Sequence, residues 1–168
     1  MDIMVISAAS RNADAAFHVD AVSDGRYGLS VNQRKNAAMS GSGAYPREWS
    51  DCGCPPRDSL EPNADYYRAV EHSPPTTDDF LNAVEAGKFL NVAMCDRLAV
   101  SMLSTWEGAV HHLLLFPWKE GWSIATSSLT PRHGRVKDTP SSKQPAHIDW
   151  WPFPDVIREN TVTAVSKP

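Results

Sequence analysis

The chain has 168 residues, a formal net charge of −4 and a pI near 5.8. That length suits one domain, with or without a tail. Its charges are spread along the chain with no basic stripe, polybasic segment or amphipathic anchor, so neither nucleic acid nor a membrane surface is expected as a partner.

The first residues carry only a short apolar run, Ile3 to Ile6, and Asp2 stands where a signal peptide carries positive charge. No secretory signal is read there, and no run approaches the roughly 20 apolar residues of a membrane helix. The cysteines are Cys52, Cys54 and Cys95. The pair Cys52-Gly53-Cys54 is too close for a C-x-x-C redox motif, and no second pair completes a zinc site. An odd count without a signal peptide predicts reduced thiols, no metal and a cytoplasmic setting.

Residues 1–62 are expected to form a weakly ordered extension, with a short strand near Ile3–Ser7. Leu29 is the one leucine before residue 59, residues 32–43 hold little to bury, and the stretch up to Pro62 includes the pair Pro55-Pro56. Such composition does not offset its ordering entropy by burial. Gly25-Arg26-Tyr27-Gly28 lacks the strand–turn–helix context of a phosphate loop.

From residue 63 to 168 the pattern is that of a single domain. Asp65–Val70 reads as a strand, closed by the breaker Ser73-Pro74-Pro75. Thr76-Thr77-Asp78-Asp79 supplies caps and first-turn acids for a helix over Asp78–Ala86, with Gly87 as its stop. Leu98–Leu103 is an almost wholly apolar second strand, expected to be covered on both faces. Ser104-Thr105-Trp106-Glu107 fits a capping box ahead of a helix carrying Trp106, Val110, Leu113 and Leu114, which must end before Pro117. Gly121–Leu129 is a third strand, Thr130–Arg135 a turn, and residues 137–145 a polar loop. His147–Trp151 is a short extended segment closed by Pro152, and Thr161–Val165 a final β-branched strand. The fold class is α+β: a mixed or antiparallel sheet of about five strands with two main helices.

Few residues stand out for chemistry. His111 and His112 are about 100° apart on one helix and cannot share a face; they read as surface or packing residues. His133 reads as a solvated turn residue. His147 precedes Trp150, Trp151 and Phe153 in a stretch that suits either a ligand wall or ordinary closure of the sheet. Arg68, alternating with Tyr66 and Val70 on one face, reads as an edge residue, an ion-pair partner or a phosphate or carboxylate fork. Ser101, inside the apolar second strand, reads as a buried hydroxyl that needs a partner. No G-x-S-x-G, Walker loop or G-x-G-x-x-G is present.

The order Tyr67-Arg68, Pro74-Pro75-Thr76-Thr77-Asp78-Asp79-Phe80, Leu98-Ala99-Val100-Ser101 and His147…Trp150-Trp151-Pro152 resembles a group of small uncharacterised bacterial proteins. An arginine on the first strand and a serine on the second also resemble the ADP-ribosyltransferase fold, including its toxin members. The resemblance implies NAD as cofactor, held by Arg68 and Ser101; an NAD-binding enzyme built this way would place Arg68 on the pyrophosphate and Ser101 at the nicotinamide ribose, with His147, Trp150 and Trp151 as the pocket wall. It does not supply the catalytic glutamate: Glu159 is the one glutamate after Glu120, and it precedes the last strand. Two functions follow as expectations. One is an NAD-binding, ADP-ribosyl-transferring or toxin-like enzyme acting with a small molecule. The other is a non-catalytic module that meets a protein partner through its tryptophan-rich C-terminal segment.

Overall fold

The computed structural model describes residues 43–168. The expected extension over residues 1–42, the short strand near Ile3–Ser7 and the Gly25–Gly28 reading lie outside them. In chain order the named elements are α1 (Arg47–Asp51), β1 (Ala64–Val70), α2 (Met94–Leu98), β2 (Val100–Leu103), α3 (Trp106–Leu115), β3 (Ser123–Leu129), β4 (Gly134–Asp138), β5 (His147–Pro152) and β6 (Val162–Ser166). Short 3₁₀ turns cover Thr77–Phe80, Pro117–Lys119, Pro131–His133 and Arg158–Thr161.

All six strands join one antiparallel sheet in the order β4-β5-β2-β1-β3-β6. The α+β class stands; the strand count is six, where about five were expected. The extra strand is β4, in residues read as turn and polar loop. Its alternation is carried by Val136 alone, which is buried between the half-exposed Arg135 and Lys137. Gly134 opens it at φ 123°, and a Cβ there would meet the Trp151 carbonyl oxygen at 2.0 Å, so no other residue lets the strands come this close.

The expected helix over Asp78–Ala86 is one 3₁₀ turn, Thr77–Phe80, followed by extended Leu81. Its capping box at Thr76 is present, but Asp79 serves more than the helix. Its carboxylate accepts from the backbone N–H groups of Glu71 (2.7 Å) and Thr76 (2.9 Å) and meets the His72 ring at 3.0 Å. Burial raises the Asp79 pKa, but these bonds outweigh it and hold the carboxyl below its usual value. A side chain that ties the end of β1 to the turn stops the helix there. In α3, Thr105 rather than Ser104 is the cap, accepting from Gly108 N at 3.0 Å.

Alternation sorts the strand residues onto two faces. One carries Val70, Val100, Met102, Ala125, Leu129, Ile148 and Trp150, closed over by Phe80, in a single apolar cluster. The other carries two separate clusters. Leu103 and Ile124 pack under α3 with Ala109, Trp106 and Leu113. Trp151 packs with Leu98, Ala99, Cys54, Tyr45 and Trp49.

That second cluster moves the domain boundary, which was expected at residue 62. The Tyr45 hydroxyl donates to the Trp151 carbonyl at 2.8 Å. Leu60 exchanges backbone hydrogen bonds with Val136 at 2.7 and 2.8 Å, extending the sheet past β4. Asp58 pairs with Lys137 at 2.8 Å. Residues 43–62 therefore belong to the packed domain through Tyr45, Trp49, Cys54 and Leu60, although most of the segment stays exposed. Cys54 and Cys95 are joined in a disulfide, and Cys52 is the free, exposed thiol. This overturns the expectation of three reduced thiols, which looked only at the close pair and not at a partner 41 residues away. No helix among the described residues is long and apolar enough to cross a membrane.

Candidate functional site

Between the two clusters of the divided face runs a polar seam. Ser101 in β2 lies directly opposite Asp149 in β5, and His147 is the next β5 residue on that face. Ser101 is the one exposed residue of β2, so the buried hydroxyl expected there is instead open to solvent. The reason is local: α3 covers Leu103 and the α1–α2 side covers Ala99, and neither reaches across the strand between them.

The seam has an internal order. The Nδ1 of His147 lies 2.8 Å from the Thr139 hydroxyl and 3.2 Å from the Thr139 carbonyl oxygen. A carbonyl can only accept, so Nδ1 carries the proton and donates. The Thr139 hydroxyl also favours the ionised form of the Asp149 carboxyl. With Nδ1 protonated, the neutral ring presents Nε2 as a bare acceptor, and no described residue takes it up. Burial pushes the Asp149 carboxyl above its usual pKa, only partly offset by His147, Thr139 and Lys137. The result is an imidazole oriented by Thr139, on the same face as a carboxyl and an exposed serine.

Arg68 approaches from the other side of β2. Strands β1 and β2 share one paired position, Tyr67 with Leu103, whereas β1 and β3 pair along the whole of β1. Where β1 and β2 part, the Arg68 guanidinium enters the gap. It donates to the carbonyl oxygens of Ser101 and Asp79, and its charged end lies 5.7 Å from the Phe80 ring centre. Desolvation, with Arg158 nearby, lowers its pKa to about 10, so it stays charged at neutral pH. β1 is a central strand, so Arg68 is not the edge residue expected. Among the described residues it makes no ion pair either: it closes a split in the sheet through backbone carbonyls, and two of its nitrogens are spent doing so.

The two tryptophans do not join the seam. Both are fully buried. Trp150 points into the opposite face and donates its indole N–H to the His133 carbonyl at 2.9 Å. Trp151 lies under Tyr45 and Trp49 and donates to the Cys95 carbonyl at 3.0 Å. They form neither the pocket wall nor the partner surface expected of them, because rings of that size fill the core before they line a surface. His133 is half-buried rather than solvated and accepts from Thr130 N at 3.0 Å. Glu159 is held by the Thr77 hydroxyl at 2.7 Å.

Ser101 and His147 thus share a face, and Arg68 abuts them through the backbone. Asp149 and Thr139 were missed. The spacing His147-Ile148-Asp149 already puts the two polar groups on one face of a strand; Thr139, one residue beyond β4, gives no such signal. A groove of about 270 Å³ adjoins the seam, with Thr105, Glu107, His111 and Gln144 in its walls. Among the described residues no group of His, Cys, Asp and Glu could hold a metal ion. No protein-family model, curated protein or solved structure matches the chain.

Proposed function

We propose that this chain binds a polar small molecule along the seam of Ser101, His147 and Asp149, with NAD as the candidate that the Arg68–Ser101 resemblance implies. One observation carries the reading: Thr139 fixes the His147 imidazole with a bare Nε2 on the face where Ser101 is exposed. Such a nitrogen accepts a hydrogen bond from a ligand hydroxyl or amide, and it can take a proton when the group it meets becomes acidic. The Ser101 hydroxyl is free to donate or accept. Arg68 has a positioning part here, since it holds the Ser101 carbonyl and so the course of β2. Transfer of ADP-ribose would add a need for a carboxylate, and the seam offers Asp149 in place of Glu159.

Calorimetric titration with NAD, ADP-ribose and nicotinamide tests the reading. Saturable heat with NAD is expected, lost in His147→Ala and weakened in Ser101→Ala while both variants stay folded. No heat and no thermal shift at millimolar NAD would remove NAD as the ligand. Equal binding by the His147→Ala variant would remove the seam as the site.

A further inference from the structure

Cys52, Cys54 and Cys95 meet at one turn, and only two of them are joined. Cys54 and Cys95 form the disulfide, and Cys52 is the free thiol. The turn closes on a single oxygen. The Trp49 carbonyl accepts from the Cys52 backbone N–H at 3.2 Å, from the Cys54 backbone N–H at 2.7 Å and from the Cys52 thiol at 3.2 Å. The free sulfur and the backbone of a disulfide residue thus share one acceptor atom. The Cys95 sulfur reaches the same turn from α2. It lies 3.9 Å from the carbonyl oxygen of Gly53, the residue between the other two cysteines. A disulfide sulfur has no proton to donate, so this is a packing contact that sets the Cys95 sulfur beside the turn.

The three differ in access. Cys52 is exposed and Cys95 half-buried. Cys54 is only 4 % exposed and packs with Leu98, Ala99 and Trp151. Gly53 has φ 72°, and no described residue comes within 4 Å of where its Cβ would stand. The outer side of the turn is clear, so a thiol from solution meets Cys52 before it meets the disulfide.

We propose that Cys52 carries the Cys54–Cys95 disulfide outward to a small-molecule thiol of the glutathione class. The Cys52 thiolate attacks the Cys95 sulfur. The Cys52–Cys95 bond forms as the Cys54–Cys95 bond breaks, and Cys54 leaves as a thiolate that takes up one proton in place of the one Cys52 gave to water. The new Cys54 thiol stays in its apolar cluster, where a neutral cysteine packs as a small hydrophobe. The loop is hardly longer than before, so chain entropy does not oppose the swap. A small thiolate then attacks the exposed Cys52 sulfur, forming a mixed disulfide and releasing Cys95. A second small thiolate attacks the small-molecule sulfur of that mixed disulfide, which restores the Cys52 thiol and releases the oxidised small disulfide. Two small thiols are oxidised and one protein disulfide is reduced. The exchange frees the α1–α2 cover of Trp151, which the disulfide ties down. It does not involve Ser101 or His147, so its failure would leave the ligand reading of the seam intact.

The test follows reduction of the oxidised full chain by glutathione without air, with acid quenching, alkylation and peptide mass mapping over time. The natural chain is expected to lose its disulfide about tenfold faster than Cys52→Ser. It should pass through a Cys52–Cys95 disulfide and a glutathione adduct on Cys52. Because Cys52 is exposed, the variant should keep its fold; thermal unfolding of the oxidised form checks this, and Cys52→Ala replaces it if it does not. A purely structural Cys52 would leave the reduction rate unmoved, so equal rates overturn the proposal. So do adducts confined to Cys95, which mean direct attack on the disulfide, and a Cys52–Cys54 intermediate in place of Cys52–Cys95. An air-oxidised chain in which Cys54 and Cys95 both take the alkylating agent overturns it as well.

Discussion

The two faces of the sheet are made by alternate residues of the same strands, yet they are built to different ends. Around Trp150 one apolar cluster runs from Val136 to Val165 and admits Arg68 only where two carbonyl oxygens receive it. Around Trp151 the cover comes in two pieces, one from α3 and one from the α1–α2 side, and the strip between them keeps Ser101, His147 and Asp149. A face closed by a single cluster has no room for chemistry. A divided face leaves a gap in which polar side chains can order one another and still reach solvent.

The sharpest way to break the comparison is to remove one tryptophan from each face. Trp150→Ala and Trp151→Ala should each lose about 3–5 kcal/mol, the sum of lost transfer energy and a cavity. They should differ in where the chain opens. Trp151→Ala removes the ring under Tyr45 and Trp49, so limited proteolysis should cut within residues 43–62 before global unfolding. Trp150→Ala should leave that segment protected. Identical cleavage patterns would mean that the two faces do not behave as separate units.

Next in size is the disulfide. Cys54→Ser, or a dithiol reductant, opens a loop closed across 41 residues, which chain entropy values at about 4 kcal/mol. The loss should fall on the Trp151 side alone. Denaturant unfolding with and without reductant reads the total, and hydrogen exchange should show faster exchange at Trp49 and Met94 while Ile148 keeps its protection.

Acid provides a third probe of the divided face. Burial holds His112 down at about pKa 4, with Lys119, Arg68 and His147 adding to the effect and Gln144 opposing it. A histidine whose folded value lies below its unfolded one stabilises the fold fully above about pH 6.5 and loses that contribution as pH falls toward 4. For a ring half open to solvent this is about 1 kcal/mol after screening. His112→Gln should flatten that limb of the stability–pH curve. The separate loss from Asp79, whose carboxyl is held below its usual range, sets in at lower pH and should persist.

Much of this architecture was legible in the residues. Strands β1, β2, β3, β5 and β6 and helix α3 follow from alternation, helical spacing and capping. What escaped shares one cause: each missed feature depends on a distant partner. β4 has a single apolar anchor and exists because β5 and Leu60 pair with it on either side. The turn at Asp79 depends on Glu71 and His72. The order of residues 43–62 depends on Trp151 and Cys95. At the site, the residue types were informative but their directions were not. Ser101 and His147 were singled out and do share a face. Trp150 and Trp151 were singled out for the same reason and turned inward.

The smallest expected effects come from two serines, one on each face. Ser101 was read as the buried hydroxyl of the sheet, but that description fits Ser127, which is fully buried on the Trp150 face with no partner for its Oγ among the described residues. It stands opposite Tyr66 in β1, at the irregular step where β3 meets β6. A buried hydroxyl without a hydrogen bond is worse than a methyl of similar size, so Ser127→Ala should stabilise the fold by up to about 1 kcal/mol. Ser101→Ala should change stability by no more than about 0.5 kcal/mol, since its hydroxyl is already in water. The same substitution should weaken ligand binding at the seam, which Ser127→Ala should leave untouched. Equal stability effects from the two would erase the difference between a face closed for packing and a face left open for binding.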